Sequence, residues 1–121
     1  MTIRRLCDCR EITAGDGARL RELFHPNREY AFSGRYSLAH AVVPPGQSSV
    51  KHRLITDEVY YILSGEGKMH VNEEIAEVEG RTAIEIPPGS IQWIENTGSE
   101  DLSFLCIVDP AWRTEDEEVL G

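Results

Sequence analysis

Short apolar or alternating runs, each five to nine residues long and most closed by glycine, proline or another turn former, follow one another along most of the chain. This pattern predicts short strands joined by turns, and hence a sandwich or barrel rather than a helical domain. Arg35 to Val43 is a strand candidate closed by Pro44-Pro45-Gly46, and Val59 to Leu63 a second, closed by Ser64-Gly65-Glu66-Gly67. Lys68 to Asn72, Thr82 to Ile86 and Ile91 to Asn96 continue the series. In Leu102 to Asp109, Leu102, Phe104, Cys106 and Val108 share one face while Leu105 and Ile107 share the other. With both faces apolar, both need cover: one lines an interior, and a second sheet or second subunit covers the other. A homodimer is expected on that ground.

Two segments carry weaker signals. In Ala18 to Phe24, Leu20, Leu23 and Phe24 suit a helical stripe, whereas alternation of Leu20, Glu22 and Phe24 suits a strand. The strand-rich surroundings favour a strand. Arg113 to Gly121 contains Thr114-Glu115-Asp116-Glu117-Glu118 and reads as a solvated acidic tail or a short helix.

At 121 residues, 40% of them hydrophobic, the chain suffices for one core. A formal net charge of -9 and a pI near 4.8 argue against sequence-independent binding to nucleic acid or an anionic membrane, since both need clustered cations. A small-molecule ligand fits better. No apolar run approaches the roughly 20 residues of a membrane helix, and the first residues turn charged without the apolar core of a secretion signal. Three cysteines without framework spacing suit a reducing compartment, so a cytoplasmic protein is expected.

Candidate chemistry lies in two stretches. In GQSSVKHRLITDEVYYILSG, five residues separate Gly46 from His52, one separates His52 from Leu54, three lie before Glu58 and six before Gly65. In GRTAIEIPPGSIQWIEN, six residues separate Gly80 from Pro87, and Gly89, Gln92 and Asn96 follow. The first stretch resembles the first motif of the cupin superfamily, with Leu54 where a second histidine would stand. The second is similar to the second cupin motif, with Gln92 in place of its histidine and Arg81 where its opening glycine would align. The resemblance covers about residues 36 to 109 and is to a small, single-domain, conserved-barrel cupin. It implies an all-β fold, a double-stranded β-helix or jelly-roll barrel built as an antiparallel sandwich, and it also implies a homodimer. Residues 1–35 then supply N-terminal strands and a loop, and residues 110–121 the acidic tail of one domain spanning residues 1–121.

A complete cupin site gathers imidazoles and a carboxylate around a divalent metal that keeps positions open for water or substrate. Here His52 matches the first histidine, Glu58 the carboxylate, and Gln92 a ligand by position only. An amide oxygen is a hard, neutral donor, weaker than imidazole toward zinc, copper or iron. Leu54 donates nothing. Disturbing a partner behind a ligand already costs about 10- to 100-fold in affinity, so losing direct imidazole ligands implies a weak or empty site. Manganese, iron, zinc, nickel and copper are not distinguished, and a metal-free hydrogen-bonded pair of His52 and Glu58 stays open beside the metal reading.

Further side chains belong to the candidate pocket. Cys106 joins His52 and Glu58 as a thiolate or packs as a small hydrophobe, depending on which face of its strand points inward. Tyr60 shares the strand face of Glu58 and is the candidate to bind substrate, donate a proton or satisfy Glu58. Leu54 and Phe104 complete the pocket. Gly65, Pro87, Gly89 and Asn96 read as turn and strand-end residues without chemistry. His40 and His70 lie in strand candidates, His25 in a loop, and Cys7 and Cys9 would share one strand face. Trp93 and Trp112 read first as core, with a pocket mouth or an interface as alternatives.

Three functions remain open. The first is a metal-dependent oxygenase, isomerase or lyase acting on a sugar-like, organic-acid or phenolic molecule. The second is a metal-free module that binds such a ligand, and the third a structural barrel with a vestigial site.

Overall fold

The computed structural model describes residues 1–14 and 17–121. Among them lie eleven strands, β1 (Glu11–Thr13), β2 (Arg19–Phe24), β3 (Ser37–Val43), β4 (His52–Leu54), β5 (Asp57–Ser64), β6 (Glu66–Val71), β7 (Glu74–Glu79), β8 (Thr82–Ile86), β9 (Gln92–Asn96), β10 (Leu102–Asp109) and β11 (Glu117–Val119). They form two antiparallel sheets: six strands in the order β1-β2-β3-β10-β5-β8 and five in the order β11-β4-β9-β6-β7. The two sheets face each other as a sandwich, the double-stranded β-helix architecture expected from the motifs.

Alternation decides which residues fill the interior. Along β5, Glu58, Tyr60 and Ile62 are buried while Asp57, Tyr61 and Leu63 are exposed. β10 lies between β3 and β5, with Phe104 opposite Ala41 on one side and Ile62 on the other. Its inward face is Leu102, Phe104, Cys106 and Val108, and Ile107 points outward at 37% exposure. Met69 and Ile94 from the five-stranded sheet pack against Tyr60, Ile62, Leu102 and Phe104 to close the core. Burial of such apolar side chains stabilises the fold by roughly 1.5–3 kcal/mol each.

The turn residues do structural work. Gly65 has φ +95°, and a Cβ there would stand 2.6 Å from the carbonyl oxygen of Asp101, so any side chain would collide with backbone. Asn96 reaches across the sandwich: its amide donates to the Val43 carbonyl at 2.9 Å and to that of Glu100 at 2.7 Å, and its oxygen accepts from Gly98 N–H at 2.9 Å. Arg81, at the motif position of a glycine, adopts φ +68° while its N–H donates to the Ile62 carbonyl at 2.7 Å. The turn keeps the glycine geometry and an L-residue carries it.

Several expectations need correction. The C-terminal segment is not a solvated tail. Thr114–Asp116 forms one 3-10 turn and Glu117–Val119 pairs with β4, placing Glu117 opposite Leu54 and Val119 opposite His52. Ile55 N–H donates to the Asp116 carbonyl at 3.1 Å and Leu120 N–H to that of Lys51 at 2.8 Å. Arg113 grips the buried Asp116 through two hydrogen bonds, of 3.0 and 2.8 Å, and this holds the Asp116 carboxyl below its ordinary value. Acidic composition suggested solvation because pairing with β4 is invisible in local sequence. Cys7 and Cys9 do not share a strand face: they flank Asp8 around the 3-10 turn Leu6–Asp8, with Cys7 exposed and Cys9 buried.

A left-handed conformation penalises an L-residue by about 1–2 kcal/mol, partly offset by the greater unfolded-state entropy of glycine. Arg81→Gly is therefore expected to stabilise the protein by about 0.5–1 kcal/mol in urea denaturation. A loss of stability would show that the Arg81 side chain makes contacts outweighing its backbone strain.

Candidate functional site

The interior between the sheets opens into a cavity of ≈ 390 Å³ whose lining includes His52, Leu54, Glu58, Tyr60, Phe104 and Cys106. Strand geometry explains the convergence. In β4, His52 and Leu54 are buried on either side of the more exposed Arg53, and in β5, Glu58 and Tyr60 sit two residues apart on the inward face. Cys106 lies in register with Tyr60 on β10. The walls are largely apolar, with Leu20, Ala39, Ala41 and Val108 around the polar cluster. Trp112 also borders the cavity, held by its N–H donating to Ser37 Oγ at 3.0 Å and by its carbonyl accepting from His25 Nε2 at 2.8 Å.

Gln92 reaches the same cluster from β9. It is in register with His52, 1% exposed, and bonded to two residues that line the cavity. Its Nε2 donates to Glu58 Oε1 at 2.8 Å, and its Oε1 accepts from the Tyr60 hydroxyl at 3.1 Å. A carboxylate only accepts, so the amide NH2 belongs on the Glu58 side and the oxygen on the Tyr60 side. The amide therefore ties the five-stranded sheet to two residues of the six-stranded sheet.

This arrangement bears directly on metal binding. The Gln92 oxygen, the atom a cation would need, already accepts the Tyr60 proton, and Leu54 brings only methyl groups. Among the described residues, no group of three or more His, Cys, Asp or Glu side chains is gathered as a metal site. The donor set does not fit a complete cupin metal centre. His52 itself is well oriented: Nδ1–H donates to the Val50 carbonyl at 2.9 Å, which places the lone pair of a neutral ring on Nε2. Chemically, the pocket offers an imidazole nitrogen, the carboxylate of Glu58 and the hydroxyl of Tyr60 beside apolar walls. Such a set binds hydrogen-bonding groups and can move protons.

Glu117, from the C-terminal strand, also lines the cavity, and sequence reasoning missed it because it lay in the segment read as tail. The remaining histidines serve other purposes. His40 points out of the six-stranded sheet against Ser103 Oγ at 2.8 Å, and burial, with the charge of Arg21, lowers its pKa. His70 stacks on Trp93 at 4.0 Å and bonds Glu95 at 2.7 Å; Lys51 lies 4.6 Å from the same indole. Trp93 thus packs on the outer surface of the five-stranded sheet, contrary to the expectation of core.

Comparisons with known proteins agree with this architecture. Residues 39–108 match the Cupin_2 family, the cupin domain. The chain belongs to the cupin family. An uncharacterised protein of Methanocaldococcus jannaschii is 42% identical over 107 residues, covering 87% of this chain and 83% of its relative. An oxalate-binding protein of Thermotoga maritima is 37% identical over 71 residues, 58% of this chain and 59% of that protein. Among solved structures, a cupin-2 domain protein from Rhodospirillum rubrum superposes with a TM-score of 0.78 at 20% identity, covering 99% of this chain and 80% of that one. That likeness speaks to the fold alone. A conserved-barrel cupin thus keeps its fold here with leucine at 54 and glutamine at 92, where the motif resemblance implies histidines.

If Leu54 and Gln92 stand where imidazoles would converge with His52 and Glu58, the double substitution Leu54→His with Gln92→His is expected to raise zinc or nickel affinity at least about tenfold. Isothermal titration without a gain would show that these positions do not converge on one ion.

Proposed function

We propose that this single-domain cupin, spanning residues 1–121, binds a small organic molecule in the cavity through hydrogen bonds rather than through a permanent metal. The carrying observation is the Tyr60–Gln92–Glu58 chain, in which Gln92 satisfies both partners and orients them at the polar end of an apolar cavity. Hydrogen-bonded polar groups in an apolar pocket provide orientation, while the walls provide burial. Sugar-like, phenolic and organic-acid ligands belong in a first screen, and the name of the Thermotoga relative adds oxalate to it.

A metal-assisted reading has one observation in its favour. The Nδ1 anchor on Val50 aims the basic nitrogen of His52 in the manner of a ligating histidine. Elemental analysis after chelator-free purification separates the two. Substoichiometric metal unchanged by His52→Ala is expected; near-stoichiometric metal lost on that substitution would establish the metal reading. In the same preparations, a thermal-shift screen is expected to yield a ligand whose affinity falls about tenfold or more in Tyr60→Phe or His52→Ala, as loss of a buried hydrogen bond implies. Ligands unaffected by both substitutions would place binding elsewhere.

The protein further acts, on this reading, as a cytoplasmic homodimer. Its three cysteines form no disulfide with one another, in keeping with a reducing compartment. Tyr61, Leu63 and Ile107, between 37% and 42% exposed, form an apolar outer face on adjacent strands β5 and β10 that a second copy would cover. Light scattering coupled to size exclusion is expected to give twice the chain mass, and Ile107→Glu to shift the species toward monomer. A wild-type monomer at micromolar concentration would remove the dimer.

A further inference from the structure

β7 ends the five-stranded sheet and β8 ends the six-stranded sheet, so among the described residues each strand pairs with one neighbour and leaves its other backbone edge unpaired. Residues of both edges line an open cleft of ≈ 470 Å³ that shares no lining residue with the ligand cavity. Its floor is apolar. Met69 and Val78 are buried there, while Val71 and Ile84 pack against the core and stay partly uncovered. Its rim is acidic: Glu74, Glu77 and Glu85 are exposed, and no Lys, Arg or His is among the lining residues. None of the three glutamates forms an ion pair with a described residue. The cations of this region are Lys68, in register opposite Glu77, and Arg81, in the turn between β7 and β8. Residues 66–87 hold six glutamates against those two cations, a formal charge of -4 within the -9 of the whole chain.

We propose that this cleft docks an extended segment of a partner protein in which apolar side chains alternate with lysine or arginine, added as a strand along β7. An unpaired strand edge offers main-chain donors and acceptors in a row, which an extended backbone matches. Alternation then sets the chemistry of the occupant. Val78 is buried, so its neighbours Glu77 and Glu79 stand on the opposite, outward face of β7. An added strand carries one set of side chains over Val71, Val78 and Ile84 and the other set beside Glu77 and Glu79. The first set is therefore apolar and the second cationic. A second copy of this chain does not suit the edge, because two β7 strands in contact set glutamates against glutamates. The carboxylates that repel a like strand admit a basic one, so the same residues exclude self-association and select the partner.

The test uses three labelled octapeptides near neutral pH at low salt: alternating lysine and valine, the same residues sorted into a lysine block and a valine block, and alternating glutamate and valine. Fluorescence anisotropy is expected to show tightest binding of the alternating basic peptide and none of the acidic one. The block peptide is expected to bind at least about fivefold more weakly, because its valines cannot all reach the floor. Glu77→Lys with Glu85→Lys is expected to weaken the alternating peptide at least about tenfold, whereas the same charge change at Glu100 and Asp101, outside the cleft, costs less than about threefold. Ile84→Thr, which keeps a β-branched side chain on the strand, is expected to weaken it at least about threefold through lost apolar contact. Bound peptide should slow hydrogen exchange at the amides of Glu74–Glu79, and circular dichroism and melting establish that each variant keeps the barrel. No binding of the alternating peptide to wild type, equal affinity for the block peptide, equal loss in the two charge-reversed variants, or unchanged exchange along β7 would each overturn the proposal. None of these outcomes bears on the ligand cavity.

Discussion

Two sheets close over a shared interior at least cost when the polar groups caught between them find partners, and in this protein Gln92 meets that constraint at the centre. A buried amide left without partners would cost about 1–3 kcal/mol per unmet group. Gln92 instead spends its NH2 on Glu58 and its oxygen on Tyr60, joining β9 to β5 across the sandwich. Asn96, four residues further on the same strand, repeats the device by bonding the Val43 carbonyl of the opposite sheet. Between these two bridges Ile94 packs fully buried against the apolar core. The pairing of sheets, the burial of Glu58 and the shape of the cavity all follow from this alternation of polar bridge and apolar filler along β9.

The same constraint explains how a cupin framework accommodates leucine and glutamine where the motif resemblance implies histidines. A histidine at position 92 would present one ring nitrogen inward; glutamine presents a donor and an acceptor, and so satisfies two neighbours at once. At Leu54 the change goes the other way, from a polar to an apolar wall, and the adjacent strand β11 brings a carboxylate beside it. The polar groups of the site are thus redistributed rather than simply lost. Arg81 shows the same tolerance in the backbone, holding a left-handed turn without the glycine of the motif.

Much of the fold was legible where alternation or turn chemistry was strong. The runs Thr82 to Ile86 and Leu102 to Asp109 coincide with β8 and β10, and the others differ by one or two residues at their ends. β7 escaped notice because it is an edge strand with only Val78 buried, so its sequence lacks a regular apolar face. β11 escaped for a related reason: three residues rich in glutamate are strand only because β4 offers them backbone partners.

Residue spacing alone determined the framework: glycines and prolines restrict backbone angles locally, and a period of two places His52, Glu58, Tyr60 and Phe104 on definite strand faces. Tertiary structure alone decided which face of Leu102 to Asp109 points inward, that Gln92 bridges Tyr60 and Glu58, and that Glu117 stands beside Leu54. Those outcomes depend on which strands become neighbours, and contacts between residues 25 or more positions apart leave no periodic trace in the chain. The candidate histidine and carboxylate were therefore readable in sequence, whereas the hydrogen bonding of the pocket they share became readable only once the two sheets were closed.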